Sequence, residues 1–284
     1  MEMLLQGLLL GGLYGLFALG LSLMFGVMRL TNTAHGDFIM LGSFSTFALV
    51  TLGLSPWFAL IAVLPLAWVC GYVLQRYILN GTLGKDPLPS LVVTFGLSIV
   101  LQNLLLELFS ADPRSIETDG FNTLSWAVTD DVSLGALPLF IFALSILATA
   151  GLQWLFSHTA IGRSFRAVSD DREISELMGL NARKVYALAT ALAFVLVAVA
   201  GALQGMRTTF SPSDGPLLLL FAFEAVIIGG MGSFWGTLAG AMLLGITQQV
   251  GFHLDPGWGI WGGHVMFLVV LIVRPQGLFP KTRG

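Results

Sequence analysis

The sequence predicts an all-α integral membrane protein, a polytopic bundle of about eight to nine transmembrane helices. Three observations carry the prediction. Of 284 residues, 56% are hydrophobic and only 10% are charged, whereas soluble domains average about 25% charged. The mean hydropathy is +0.86. The apolar residues fall in runs of about the 20 that a bilayer requires, with short polar breaks between them. A soluble fold could not clothe its surface with 13 basic and 16 acidic side chains. With lipid as the solvent for most of that surface, the shortage disappears.

The elements follow in order along a single transmembrane domain, 1–284. Met3–Met28 carries no charge. It is too long for a signal-peptide core and has no basic residue before it, so it reads as a retained first helix. Phe38–Gln75 is also uncharged and long enough for two spans. Gly53-Leu54-Ser55-Pro56 divides it, because proline starts helices well and interrupts them badly. A fourth helix is expected over Ser90–Phe109, a polar, acidic outer loop over 110–133, and a fifth helix over Leu134–Phe156. The hydrophilic stretch 157–184 precedes a sixth helix at Val185–Met206. Two apolar segments, Pro216–Met231 and Phe234–His253, flank a glycine turn, and the last helix covers Gly257–Val273.

Charge gives the orientation. With 157–184 placed in the cytoplasm, alternate segments put Arg29, Arg76, Lys85, Arg163, Arg166, Arg172, Arg183, Lys184, Arg274, Lys281 and Arg283 inside, and only Arg114 and Arg207 outside. This predicts about nine crossings, N-terminus out and C-terminus in; eight result if Pro216–Met231 re-enters. Gly7, Gly11 and Gly15 repeat every fourth residue, as do Gly236 and Gly240; such faces let helices approach closely in lipid.

Several chemistries are excluded. A net charge of -3 offers no basic face for nucleic acid. The single cysteine, Cys70, forms no internal disulfide, and the four histidines show no metal-ligand spacing. Gly84-Lys85 is not a P-loop, since Leu79 and Asp86 stand where glycine and Ser/Thr are required. Neither a GxSxG elbow nor an HExxH motif occurs. Nothing argues for catalysis, so the chain is expected to be no enzyme and to hold no cofactor or metal.

The polar residues within apolar runs remain. Glu224 lies mid-segment, where an ionised side chain costs on the order of 3 kcal/mol. It reads equally as a residue of the translocation path or as a structural carboxylate bonded to a neighbouring helix. Glu107 lies near a helix end and reads as snorkelling to the outer surface. Thr31–Asp37, with Asn32, His35 and Asp37, reads as a cytoplasmic turn in which Asp37 caps the second helix, or as an interrupted helix facing a pathway. The turn is the simpler reading of the residues. Gln102, Asn103, Gln204, Gln248 and Gln249 suit interhelical hydrogen bonds.

In the loop at 157–184, Asp170 and Asp171 suit an N-cap with acids in the first helical turn. Ile174, Leu177 and Met178 share one apolar face. Gly179 suits the helix end. The result is a short amphipathic helix in the cytoplasm, either lying on the membrane surface or docking into a groove on a partner.

Glu173 and Gly179 have the spacing of the EAA loop of ABC-importer permeases, although Ile174 and Ser175 replace its two alanines and the downstream Ile-x-Leu-Pro is absent. Gly11–Phe38 and Ala222–Ala241 closely resemble the LivH-like half of the branched-chain amino-acid ABC permeases, and Arg274–Phe279 resembles the usual chain ending. The resemblance covers essentially the whole length. It implies a permease of a bacterial inner-membrane importer, paired with a second, homologous permease. Two cytoplasmic ATPases holding ATP and Mg would drive the pair, and a periplasmic binding protein would meet the outer loops, chiefly 110–133. Asp171, Glu173, Ile174, Leu177, Met178 and Gly179 would couple to an ATPase. Asn32, His35, Asp37, Glu224, Gly229 and Gly230, all inside matching motifs, become candidates for the path. The implied cargo is a branched-chain or other hydrophobic amino acid; relatives carry other amino acids, urea, short amides or aromatic acids. An ion-coupled secondary transporter is the rival of another class, but it would want paired intramembrane acids or bases. A membrane-embedded enzyme would want the missing catalytic constellation.

Overall fold

The computed structural model describes residues 2–84, 86–129 and 132–279. Lys85, Lys281 and Arg283, assigned above to the inner side, lie outside the described residues. The helices are α1 (Glu2–Met28), α2 (His35–Thr51), α3 (Pro56–Tyr77), α4 (Leu88–Phe109), α5 (Ala136–His158), α6 (Ala160–Asp170), α7 (Arg172–Leu177), α8 (Ala182–Arg207), α9 (Gly215–Gly229), α10 (Phe234–Leu254) and α11 (Trp258–Val273). Strands β1 (Ser125–Thr129) and β2 (Val132–Gly135) form an antiparallel hairpin before α5.

Among the described residues, six helical stretches are long and apolar enough to cross a membrane. α2 and α11, with 17 and 16 residues, are shorter, and the apolar character of α10 is diluted by Gly236, Gly240, Gly245 and Gly251 and by two glutamines. α1 and α8 form the centre: 83% and 72% of their apolar windows are buried, against 22% for α3, α4 and α5, whose outward faces are left for lipid or protein. Gly7 and Gly11 bring α1 onto the backbone of Ile246 and Met242, so α10 packs antiparallel along it. Gly236 and Gly240 seat α10 on Gly229 and Ala225 of α9.

The second helix departs from the sequence expectation. It starts at His35, not Phe38, and Asp37 lies inside its first turn. The N-cap is Ala34, with no side-chain cap bond; instead Asn32 Oδ1 accepts from the Ala34 amide at 3.0 Å. Nor is 29–34 a simple turn at the end of α1. His35 Nε2 lies 2.8 Å from the Phe17 carbonyl, so the chain has climbed about 16 Å back along α1 at 1.5 Å per residue. Phe38 meets Phe194 at 4.3 Å, Ser43 Oγ donates to the Gly201 carbonyl at 2.7 Å, and Phe44 meets Phe210 at 4.8 Å. α2 therefore runs parallel to α8 and begins level with the middle of it.

The same construction recurs in reverse. α8 ends at Arg207; residues 208–211 and a 3-10 turn, Pro212–Asp214, fold back, and α9 begins at Gly215 against Asp37. Tyr14 stacks on Phe221 at 4.8 Å and Gly26 approaches Gly232, so α9 runs parallel to α1. α1–α4 and α8–α11 are thus two copies of one unit in opposite orientation, the inverted repeat common in transporters. α3 packs on α8 as α10 packs on α1, and the half-helices α2 and α9 meet N-terminus to N-terminus.

Two loops hold more structure than their sequences announce. The stretch 157–184 contains two helices, α6 and α7, rather than one. Residues 110–124 are pinned to the end of α8: Arg114 pairs with Phe210 through both backbone amides, and the Ile116 amide donates to the Gly205 carbonyl at 2.9 Å.

Candidate functional site

At the centre of the fold, two half-helix N-termini cross at backbone contact. A side chain on Gly36 would drive into the Gly215 carbonyl, and one on Gly215 would meet the Asp37 carboxylate. Each half-helix carries one buried acid, and each acid takes hydrogen-bond partners from the fourth helix of its own repeat. Asp37, 1% exposed, accepts from Ser98 Oγ at 2.5 Å and Gln102 Nε2 at 3.0 Å, both on α4. Glu224, 2% exposed, meets His264 Nδ1 of α11 at 2.5 Å. A buried carboxylate without partners would cost several kcal/mol; these bonds offset that cost. When Glu224 and His264 share one proton the pair is neutral overall, whichever of them holds it.

His35 donates through Nε2 to the Phe17 carbonyl, because a carbonyl can only accept. Its Nδ1 and the Nδ2 of Asn32 are buried without a hydrogen-bond partner. Thr33 Oγ1 lies 2.8 Å from Thr94 Oγ1, which ties the climbing segment to α4. Asn32, His35 and Asp37 are thus brought together at the crossing. Gly229 and Gly230 are not. They form the elbow between α9 and α10, with Gly230 at φ 105°. There the Leu278 and Phe279 amides donate to the carbonyls of Ile228 and Gly229 at 2.8 and 3.0 Å. The segment resembling a family ending is therefore a strap across this elbow.

The second candidate region is the α6–α7 pair. Thr159 caps α6, accepting from the Gly162 amide. Gly162 lets α6 press on the end of α5, and Phe165 and Val168 are buried. Ser169 Oγ donates to the Gly26 carbonyl at 2.7 Å, fastening α6 to the end of α1. Asp171 caps α7 by accepting from the Ile174 amide at 3.0 Å, while Asp170 closes α6 instead of joining that cap. Gly179 follows at φ 89°, a left-handed conformation that favours glycine. On this anchored base Ile174, Leu177 and Met178 are 60%, 87% and 80% exposed. Glu173 is exposed beside them.

Of the expected interhelical amides, Gln102 and Gln248 bond across helices; Asn103 returns to the Ile99 carbonyl of its own helix, and Gln204 reaches Thr208 one turn on. Sequence reasoning missed His264, which it counted among scattered histidines, and it missed Tyr14, whose hydroxyl donates to Gln248 Oε1 at 2.6 Å. Nothing local in the sequence marks partners 40 and 234 residues apart.

Comparison with known proteins agrees with this architecture. The family model described as "Branched-chain amino acid transport system / permease component" matches residues 3–274. The chain is 29% identical to the high-affinity branched-chain amino acid transport system permease protein BraD of Pseudomonas aeruginosa, over 99% of this chain and 96% of that one. It is 26% identical to LivH, the permease protein of that transport system in Escherichia coli, over the same shares. It is 27% identical to LivM of Escherichia coli over 95% of this chain and 68% of that one. Six apolar spans, an inverted repeat of half-helices and a match over nearly the full length agree: the chain belongs to the branched-chain amino acid transport system permease family.

Proposed function

We propose that this chain is the LivH-like permease of an ABC importer that carries branched-chain or other hydrophobic amino acids across the bacterial inner membrane. The full-length likeness to BraD and LivH supports the cargo class; the likeness to LivM supports a second, homologous permease as its partner. The chain crosses nine times, N-terminus outside and C-terminus inside. The second and seventh crossings each combine an extended leg with a half-helix, α2 and α9.

The observation that carries the mechanism is the exposed apolar face of α7 on its anchored base. Leu177 at 87% exposure gains nothing from water, and burial of such side chains contributes about 1.5–3 kcal/mol each. An ATPase groove supplies that burial in the helix-in-groove mode. Each of the two permeases would take one ATPase, with ATP and Mg held there. Closure of the ATPases moves α7, and α6 passes the motion to α1 through Ser169 and Gly26. The two halves of the inverted repeat then rock about the glycine crossing. A periplasmic binding protein docks on the outer loops between α4 and α5.

Co-expression of the permease pair with its two ATPases, and purification through a tag on this chain, tests the reading. The ATPases are expected to co-purify, and leucine presented with the binding protein should stimulate ATP hydrolysis. A tagged chain that recovers its permease partner but no ATPase would overturn it.

A further inference from the structure

The inverted repeat makes the elbow between α2 and α3 equivalent to the elbow between α9 and α10, yet the two differ in what covers them. Both turn on left-handed glycines: Gly53 at φ 96° in the first, Gly230 and Gly232 at φ 105° and 82° in the second. The first elbow is bare. Among the described residues nothing lies within 4 Å of a side chain built at Gly53, and Leu52 beside it is 77% exposed. The second elbow is clamped from three sides. The strap at 277–279 crosses it and sets Phe279 against Gly236. The last turn of α1 reaches it where a side chain on Gly26 would come within 3.3 Å of the Gly232 Cα. The end of α5 reaches it through Phe156, whose ring meets that of Phe234, the first residue of α10, edge-on at 4.9 Å.

Two of these three clamps lead back to the cytoplasmic helices. Phe165 of α6 meets Phe156 at 5.5 Å, Arg166 Nη1 donates to the Phe156 carbonyl, and Gly162 lets α6 press on the backbone of Phe156. Ser169, at the other end of α6, holds the Gly26 carbonyl. One element thus reaches one turn by two separate routes. From that turn α9, 15 residues and about 22 Å long, runs to the crossing, where Gly215 touches Gly36. Packed side chains pass a displacement on, because a close-packed interior has no slack in which to absorb it. α2 is seated instead along α8, through Phe38, Ile39 and Ser43. We propose that Phe156 and Gly26 are positioning residues through which α6 and α7 drive the α9–α10 elbow. α9 is then the half-helix displaced at the crossing, and α2 is the one it moves against. The inference rests on the importer reading and names the element that the ATPases move.

The test uses the whole complex, two permeases and two ATPases, with this chain in a Cys70→Ser background. Met231→Cys, 43% exposed at the clamped elbow, and Leu52→Cys at the bare one serve as probes. In nanodiscs each is reacted with a maleimide, with and without trapping by ATP and vanadate. Trapping should change the rate at position 231 about threefold or more and leave position 52 unchanged. Phe156→Ala should abolish the change at 231 and lower leucine taken up per ATP hydrolysed about tenfold in proteoliposomes, while the ATPases still co-purify. Phe156→Leu, which keeps most of the bulk, should restore much of both. Ser169→Ala removes only a hydroxyl from the second route; it should reduce the change about twofold, and it serves if Phe156→Ala does not assemble. A change at 231 that persists in Phe156→Ala and in Ser169→Ala with normal uptake would overturn the relay, since the ATPases would then be shielding the elbow directly. An equal change at position 52 would overturn the assignment of α9 as the displaced half-helix. A parent complex that imports leucine with no change at 231 overturns the inference and leaves the importer reading standing. One that imports no leucine overturns both.

Discussion

Gly36 and Gly215 are adjacent because two helix ends must touch with nothing between them. Gly36→Ala would force a methyl into a carbonyl. Overpacking of this kind costs about 1–3 kcal/mol, and folded permease recovered by fluorescence-detected gel filtration should fall accordingly. Gly84→Ala, in open space, should not change it. His264 presents the opposite case, since its removal leaves a buried carboxylate oxygen unpaired. His264→Ala should lower stability by about 1–3 kcal/mol, read as a lower melting temperature, and Glu224→Gln in the same background should recover part of the loss. Glu224→Gln alone should leave the ATPases co-purifying; their loss would make Glu224 a structural residue.

At the scale of elements, α7 has only six residues and could not stay folded alone. Asp171 and Gly179 fix its two ends, and Ser169 holds its neighbour to α1. Gly179→Val replaces a residue at φ 89° and should distort the end of α7; Glu173→Lys reverses the charge beside its apolar face. Either change should uncouple leucine uptake from ATP hydrolysis while the chain remains membrane-inserted. Normal uptake in both variants would defeat the docking role. The strap at 277–279 acts on another element. It satisfies the last carbonyls of α9, which a helix end otherwise leaves unpaired. Gly277→Val would meet the backbone of Gly230, and the elbow should become more accessible, measurable as faster amide exchange at Gly230–Ser233.

For the molecule as a whole, orientation is the simplest quantity to measure. In a Cys70→Ser background, a cysteine at Trp126, 56% exposed on the hairpin, should react with a membrane-impermeant maleimide in intact cells. One at Arg163, exposed on α6, should react only after permeabilisation. The reverse pattern would invert the proposed topology. Each of the two inverted units supplies a full helix and a half-helix, and the two half-helices meet at the Gly36–Gly215 contact.

Hydrophobic run length and basic-residue placement are local quantities. The sequence by itself therefore determined that lipid is the solvent, roughly where the long helices lie, and that a capped, amphipathic helix sits in the longest polar loop. The break at Ser55-Pro56 and the end at Gly179 were legible because proline and glycine act on their own backbone. The inverted repeat was not legible, since opposite orientation preserves packing and not residue order; α2 and α9 share little beyond an acid and a starting glycine. Thr31–Asp37 has the composition of a turn, and only the packing of His35 on Phe17 and Asp37 on Ser98 shows that it climbs to mid-depth. The partners of Glu224 and Tyr14 likewise come from α11 and α10. Tertiary structure decided these because a buried polar atom takes its partner from whatever helix packing brings within about 3 Å, and sequence distance has no part in that choice.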